Sequence, residues 1–153
     1  NECYFPYHHA LRQLLEEGVK KFGYVYLIDC HSMPASIPTA DGSRASLTTQ
    51  RPDIILGNRY GTSCGPQLFN ATLSSLESYG YHVGQNTPYA GGFITACYGK
   101  PDKNVHALQI EINRGLYMDQ MSLTTNDGFE RLRQDMEAFI RDMSQGRSSL
   151  LTA

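Results

Sequence analysis

The chain has 153 residues, with 13 Lys and Arg against 15 Asp and Glu and a formal net charge of −2. At 41% apolar content this is enough for one globular domain with a buried core. The lack of a basic excess argues against nucleic acid or an anionic membrane surface as partner, and no apolar stretch reaches the roughly 18 residues that span a bilayer.

In chain order, Pro6 suits a first helical turn. Leu11, Leu14, Leu15, Val19 and Phe22 then recur at three- and four-residue steps, which predicts an amphipathic helix. Lys20 and Lys21 favour its C-terminal end and Gly23 stops it. His8 and His9 near its start are adjacent, so they point about 100° apart and are poorly placed to share a metal. Solvated or capping roles are expected for both.

Tyr24-Val-Tyr-Leu-Ile28 is a short apolar run rich in β-formers. It predicts a buried strand of a parallel sheet. It runs into Asp29, Cys30, His31 and Ser32, then a proline turn at Pro34. Open α/β sheets gather chemistry at the carboxyl ends of their strands. His31 there is either a metal ligand or a histidine hydrogen-bonded in a turn.

Residues 33–50 are rich in Ser, Thr, Pro and Gly and carry Asp41-Gly42, a turn signal. A loop of this length at a strand end is expected to be a lid or a disordered segment. Ile54–Leu56 reads as a second strand. Arg51 or Arg59 beside it could clamp a carboxylate, or Arg51 could pair with Asp53 or another acid. Gly65-Pro66 opens a second helix that ends at Gly80. Tyr81–Gln85 reads as a third strand. After it, Gly91-Gly92 allows close backbone approach to a ligand, or simply makes a tight turn. No glycine pattern for phosphate binding is present.

His106-Ala-Leu-Gln-Ile-Glu-Ile-Asn-Arg114 alternates, placing Leu108, Ile110 and Ile112 on one face and Gln109, Glu111 and Asn113 on the other. Three polar groups on one face of an interior strand must be satisfied there. Glu111 reads either as a general base or as the structural partner of Arg114 or Arg51. Asp127 is placed to cap a last helix with Phe129, Leu132, Met136, Phe139, Ile140 and Met143 along one stripe. A single α/β domain over residues 1–153 with a loose tail at 144–153 is the expected organisation. Cys3, Cys30, Cys64 and Cys97 form no metal or disulfide spacing pattern. They are expected to be reduced thiols in a cytoplasmic protein.

Taken together, Pro6-Tyr7-His8, Asp29-Cys-His-Ser-Met-Pro34, Arg51-Pro-Asp53 with Gly57 and Gly61-Thr-Ser-Cys64, Asn86 with Pro88-Tyr89 and Gly91-Gly92, and His106 to Arg114 with Tyr117-Met118-Asp119 resemble the N-formylglutamate amidohydrolase family. The resemblance covers most of the chain in the family's order. It implies an α/β fold similar to the zinc carboxypeptidases (phosphorylase/hydrolase-like), a mixed sheet flanked by helices and incomplete at its amino end. It implies a small-molecule N-acyl amino acid substrate, with N-formyl-L-glutamate cleaved to formate and glutamate late in histidine breakdown. It further implies one zinc ion held by His31 and a base at Glu111. Substrate contacts would come from Arg51, Arg114, Asn86, Tyr89, Gly91 and Gly92. The family's other two zinc ligands, a histidine and an acidic residue, would come from an N-terminal part of the protein outside this chain. Asn58 departs from the acidic residue that many relatives carry.

Two other function classes compete. Cys30 or Cys64 with a histidine would make a metal-free cysteine hydrolase. A relative without its ligand set would be a non-catalytic binding module.

Overall fold

The computed structural model describes residues 2–35 and 51–145. The predicted lid therefore lies, from residue 36, outside the described residues, as does the tail beyond residue 145. Ten elements follow in order: α1 (Tyr4–Phe22), β1 (Val25–Met33), β2 (Ile54–Gly57), α2 (Pro66–Ser78), β3 (Val83–Gln85), α3 (Phe93–Tyr98), β4 (Val105–Asn113), β5 (Met118–Asp119), β6 (Thr124–Thr125) and α4 (Phe129–Ser144). Residues 93–98, which the sequence reading passed over, form the short helix α3.

β1, β4, β2 and β3 form one sheet in that spatial order. β1 runs parallel to β4 and β3 parallel to β2, but β2 runs antiparallel to β4. The sheet is thus mixed. It differs from the purely parallel sheet that the apolar run of β1 suggests by itself.

Strand alternation gives the sheet two unlike faces. Ile54 and Leu56 of β2 and Leu108 and Ile110 of β4 point to one face. There they meet Leu68, Phe69 and Leu76 of α2 and Leu132 and Phe139 of α4 in a single apolar core. Ile54, Leu56, Leu68, Leu76 and Leu108 are each 1% exposed or less. Burial of such side chains contributes about 1.5–3 kcal/mol apiece before the entropy of ordering is set against it. That margin tolerates a few buried polar groups on the opposite face. α1 and α3 cover one end of this second face. Gly18 of α1 lies so close to the start of β1 that an added Cβ would sit 3.1 Å from Val25 Cγ2.

α1 stops at Gly23, whose φ of 83° is left-handed and whose N–H donates to the Val19 carbonyl. Its apolar stripe is only partly covered: Leu15 is buried, but Leu14 and Phe22 are 65% and 64% exposed. His8 is not solvated or capping as expected. It is buried, with Nδ1 2.6 Å from the Tyr98 hydroxyl of α3. The helix thereby carries a polar anchor to α3 as well as an apolar one.

Two further expectations are corrected. β1 does not stop at Ile28 but continues to Met33, so Asp29, His31 and Ser32 are strand residues rather than turn residues. Among the described residues it is an edge strand, and Cys30 and His31 are exposed. At the other end of the chain, Asp127 is not the cap of α4. Gly128 takes that position, and its N–H donates to Asn126 Oδ1. An added Cβ at Gly128 would fall 2.1 Å from the Leu116 carbonyl oxygen, so the chain enters α4 too tightly for a larger residue. Along α4 the buried residues are Leu132 and Phe139, while Ile140 is 62% exposed.

Candidate active site

The parallel register of β1 and β4 sets Asp29 beside Gln109 and His31 beside Glu111. Paired residues of adjacent strands project to the same face. All four therefore stand on the face opposite the apolar core, toward the carboxyl ends of both strands. Antiparallel β2 brings Ile55 beside Glu111 and Gly57 beside Gln109 on the other flank.

Glu111 is buried and His31 is half exposed. Glu111 Oε1 lies 3.9 Å from His31 Nδ1 and accepts a hydrogen bond of 2.7 Å from Gln109 Nε2. Burial pushes the Glu111 carboxyl above its usual range, an effect opposed by the nearby imidazole and by the Gln109 amide. A partly desolvated carboxylate beside a histidine is the environment in which a general base is tuned toward neutral pH.

On the other side of the ring, Asp29 Oδ2 is 3.2 Å from His31 Nε2. Its approach falls short of hydrogen-bond geometry, so this buried oxygen has no hydrogen-bond partner. Imidazole is thus flanked by a carboxylate at each nitrogen. Of the two neighbours that could orient His31, Asp29 faces the ring and Ser32 does not. Ser32 Oγ instead accepts from Arg114 Nε at 3.1 Å.

Among the described residues, neither Arg114 nor Arg51 forms an ion pair with Glu111, though the Arg114 charge acts on its carboxyl from a distance. Arg114 is taken up by Ser32, and Arg51 donates to the Pro34 carbonyl at 3.0 Å. Nor does Arg51 pair with Asp53, whose Oδ2 accepts from the His82 N–H. Arg51 and Arg114 both sit at the β1 carboxyl end, the first tied to Pro34 and the second to Ser32. Arg59 has a left-handed φ of 52° and donates to the Gly91 carbonyl.

The segment from Asn86 to Gly92 borders the site. Asn86, also left-handed at φ 57°, accepts from the Asn58 and Tyr60 N–H groups and donates to Asn58 Oδ1. Its amide is occupied in holding the turn after β2. Asn58 Oδ1 in addition accepts from the Gly61 N–H. The Asn58 side chain also hydrogen-bonds the Cys64 thiol, so the position uses the amide as donor as well as acceptor. Tyr89 is half-buried. Gly91 has a φ of 119°, and an added Cβ would meet Thr95 Oγ1 at 2.5 Å. The Gly92 N–H donates to Gln109 Oε1 at 2.6 Å. Gly57 lies directly beneath this segment, with an added Cβ only 2.7 Å from Ala90 C and Gly91 N.

The cysteines do not support a thiol nucleophile. Cys30 is the strand neighbour of His31 and points to the opposite face, and its thiol is pushed up by burial and by Asp29. Cys64 is 1% exposed in the core, and burial raises it to about 11. All four cysteines are free.

For a metal, the donor set fits in part. A histidine with one nitrogen facing a carboxylate is held ready to offer the other. Among the described residues, however, no group of three or more His, Cys, Asp or Glu gathers around a common point. A cavity of about 550 Å³ between α1 and α3, lined by Arg12, Leu15, Lys20 and Lys103, contains none of the acid–base pair and belongs to another part of the surface. No helix among the described residues is long and apolar enough to cross a membrane.

Gln109 is the residue that sequence reading undervalued. The signal was present in the polar face of its strand, where a buried amide must find both a donor and an acceptor.

The chain is similar to known proteins. A family model described as N-formylglutamate amidohydrolase matches residues 1–118. The N-formylglutamate deformylase of Pseudomonas aeruginosa is 34% identical over 124 residues, covering 79% of this chain and 44% of that protein. That of Pseudomonas putida is 34% identical over 142 residues, covering 92% and 50%. The chain spans about half the length of these curated relatives. The crystal structure of N-formylglutamate amidohydrolase from Ralstonia eutropha JMP134 superposes with a TM-score of 0.76 at 36% identity, over 86% of this chain and 46% of that one.

Proposed function

The chain belongs to the N-formylglutamate amidohydrolase family, and we propose that the protein of which it forms part hydrolyses the formyl amide of N-formyl-L-glutamate, or of a related N-acyl amino acid. The observation that carries the reading is the pairing of His31 with Glu111 on adjacent strands, one half exposed and the other buried.

Water adds to the formyl carbon, the C–N bond breaks, and formate and glutamate leave. Glu111 takes a proton from the attacking water and returns it to the departing amine nitrogen. Its raised pKa favours the first half of that exchange, since a weakly basic carboxylate would take the proton less readily. Asp29 Oδ2 faces His31 Nε2 at 3.2 Å and would orient the ring. Arg51 and Arg114 stand at the strand ends where a substrate carboxylate would be paired. Either would have to turn away from the oxygen it now meets. The turn held by Asn86 and the Gly91–Gly92 pair would form a wall beside the base, to which Gln109 links it, and Tyr89 in the same segment would face the substrate.

A zinc ion held by His31 would supply Lewis-acid polarisation of the carbonyl and a lowered pKa for the attacking water. A catalytic zinc takes about three protein ligands. The remaining ones would come from outside the described residues, in an N-terminal part of the same protein. That part would also extend the sheet beyond β1, giving the zinc carboxypeptidase-like architecture. The four free thiols favour a reducing, cytoplasmic setting.

The test is formate release from N-formylglutamate by the whole protein, before and after chelation and after zinc is restored. Loss on chelation and recovery with zinc is expected. Turnover indifferent to chelators would remove the metal from the account, and no formate release at all would remove the substrate assignment.

A further inference from the structure

We propose that Gln109 is a positioning residue for this reaction: its side-chain amide ties the Gly91–Gly92 turn to Glu111, so that substrate wall and base are held as one unit. The inference rests on the reading of Glu111 as the base.

The chemistry of the two contacts leaves no freedom in how the amide is turned. The Gly92 N–H can only donate, so the Gln109 carbonyl oxygen must face it, and it does so at 2.6 Å. The amide nitrogen then faces Glu111 Oε1 at 2.7 Å, where an ionised carboxylate can only accept. A carboxylate at position 109 would satisfy the first contact and oppose the second. An apolar side chain would satisfy neither. Asparagine is one methylene shorter and does not span both.

The surroundings make the tie rigid. Gln109 is 3% exposed and Glu111 is 6% exposed, so water offers neither group a ready substitute. The turn itself is fixed from below by Gly57 and from the side by Arg59, whose N–H donates to the Ala90 carbonyl at 2.7 Å and whose guanidinium donates to the Gly91 carbonyl. One consequence follows for the Gly-Gly pair: the Gly92 N–H is consumed within the protein and is not a donor to substrate.

The experiment compares Gln109→Glu and Gln109→Met with wild type in the whole protein. Steady-state kinetics on N-formylglutamate are combined with hydrogen exchange of the segment containing Gly92. Gln109→Glu keeps the acceptor for Gly92 but loses the donor to Glu111. It is expected to retain slow exchange while kcat falls about tenfold to a hundredfold with KM within about twofold. Gln109→Met is expected to lose kcat similarly, and its Gly92 amide to exchange about fivefold to tenfold faster. Wild-type kcat in Gln109→Met, or a lowered Tm as the sole change in both variants, would overturn the proposal. A wild-type protein that releases no formate would overturn the functional reading instead. It is told apart because Gly92 exchange would still respond to Gln109→Met.

Discussion

His31 and Glu111 are register partners on β1 and β4, with Nδ1 3.9 Å from Oε1, on the face of the sheet opposite the core that α2 and α4 cover. Because the two strands are parallel, their chemistry-bearing ends coincide, and a nine-residue pairing on each side fixes the separation. The expected consequences concern what orients this pair, what supports it from beneath, and what surrounds it.

Asp29 is expected to orient His31. Replacing it with Ala frees the ring to rotate away from its present setting. In the whole protein, zinc affinity is expected to fall about tenfold to a hundredfold. Competition with a chromophoric chelator reads this without any assay of turnover. Unchanged affinity would show that Asp29 does not orient the ring.

Gly57 is expected to be intolerant of a side chain. Its Cβ would sit 2.7 Å from backbone atoms of Ala90 and Gly91, and backbone cannot swing aside as a side-chain tip can. Gly57→Ala should cost about 1–3 kcal/mol. Chemical denaturation measures it. Activity should fall further than stability alone explains, because the displaced segment carries the Gly92 contact to Gln109.

Cys64 should make stability fall at high pH. Burial raises its thiol from an ordinary 9.0 to about 11 in the folded chain. Between those values the unfolded chain releases the proton and the folded one keeps it. The stabilising contribution is therefore full below pH 9.0 and lost as pH rises through about 11. Cys64→Ala removes that dependence and leaves a small cavity. Its stability deficit against wild type should narrow across this window, as read by Tm at several pH values. The buried thiol should also resist alkylation at pH 8 while exposed Cys3 reacts.

Much of this arrangement was legible in the residues, and the failures have identifiable causes. The alternation of β4 located Glu111 and the buried apolar face correctly, because period-two patterning is strong in a nine-residue strand with one apolar and one polar face. β1 was read short. Asp29, His31 and Ser32 look like turn chemistry, yet each alternates with its neighbours and the strand simply continues through them. His8 is buried although adjacent histidines at a helix start resemble a solvated pair. Nothing local announces Tyr98, 90 residues further on. The Glu111–Arg114 and Glu111–Arg51 pairs were plausible by charge but not by direction. Both arginines lie past the strand ends, where Ser32 and Pro34 supply closer oxygens. The cap of α4 went to Gly128 rather than Asp127 because the turn against Leu116 leaves no room for a Cβ.

The most direct test of the account is the kcat of Glu111→Gln for N-formylglutamate in the whole, zinc-supplied protein, with bound metal and Tm measured alongside. The substitution keeps the size and the acceptor oxygen for Gln109 while removing the proton-accepting charge. A fall in kcat of about a hundredfold to ten-thousandfold is expected, with metal content and folding retained. A Glu111→Gln protein that turns over within a few-fold of wild type would contradict it.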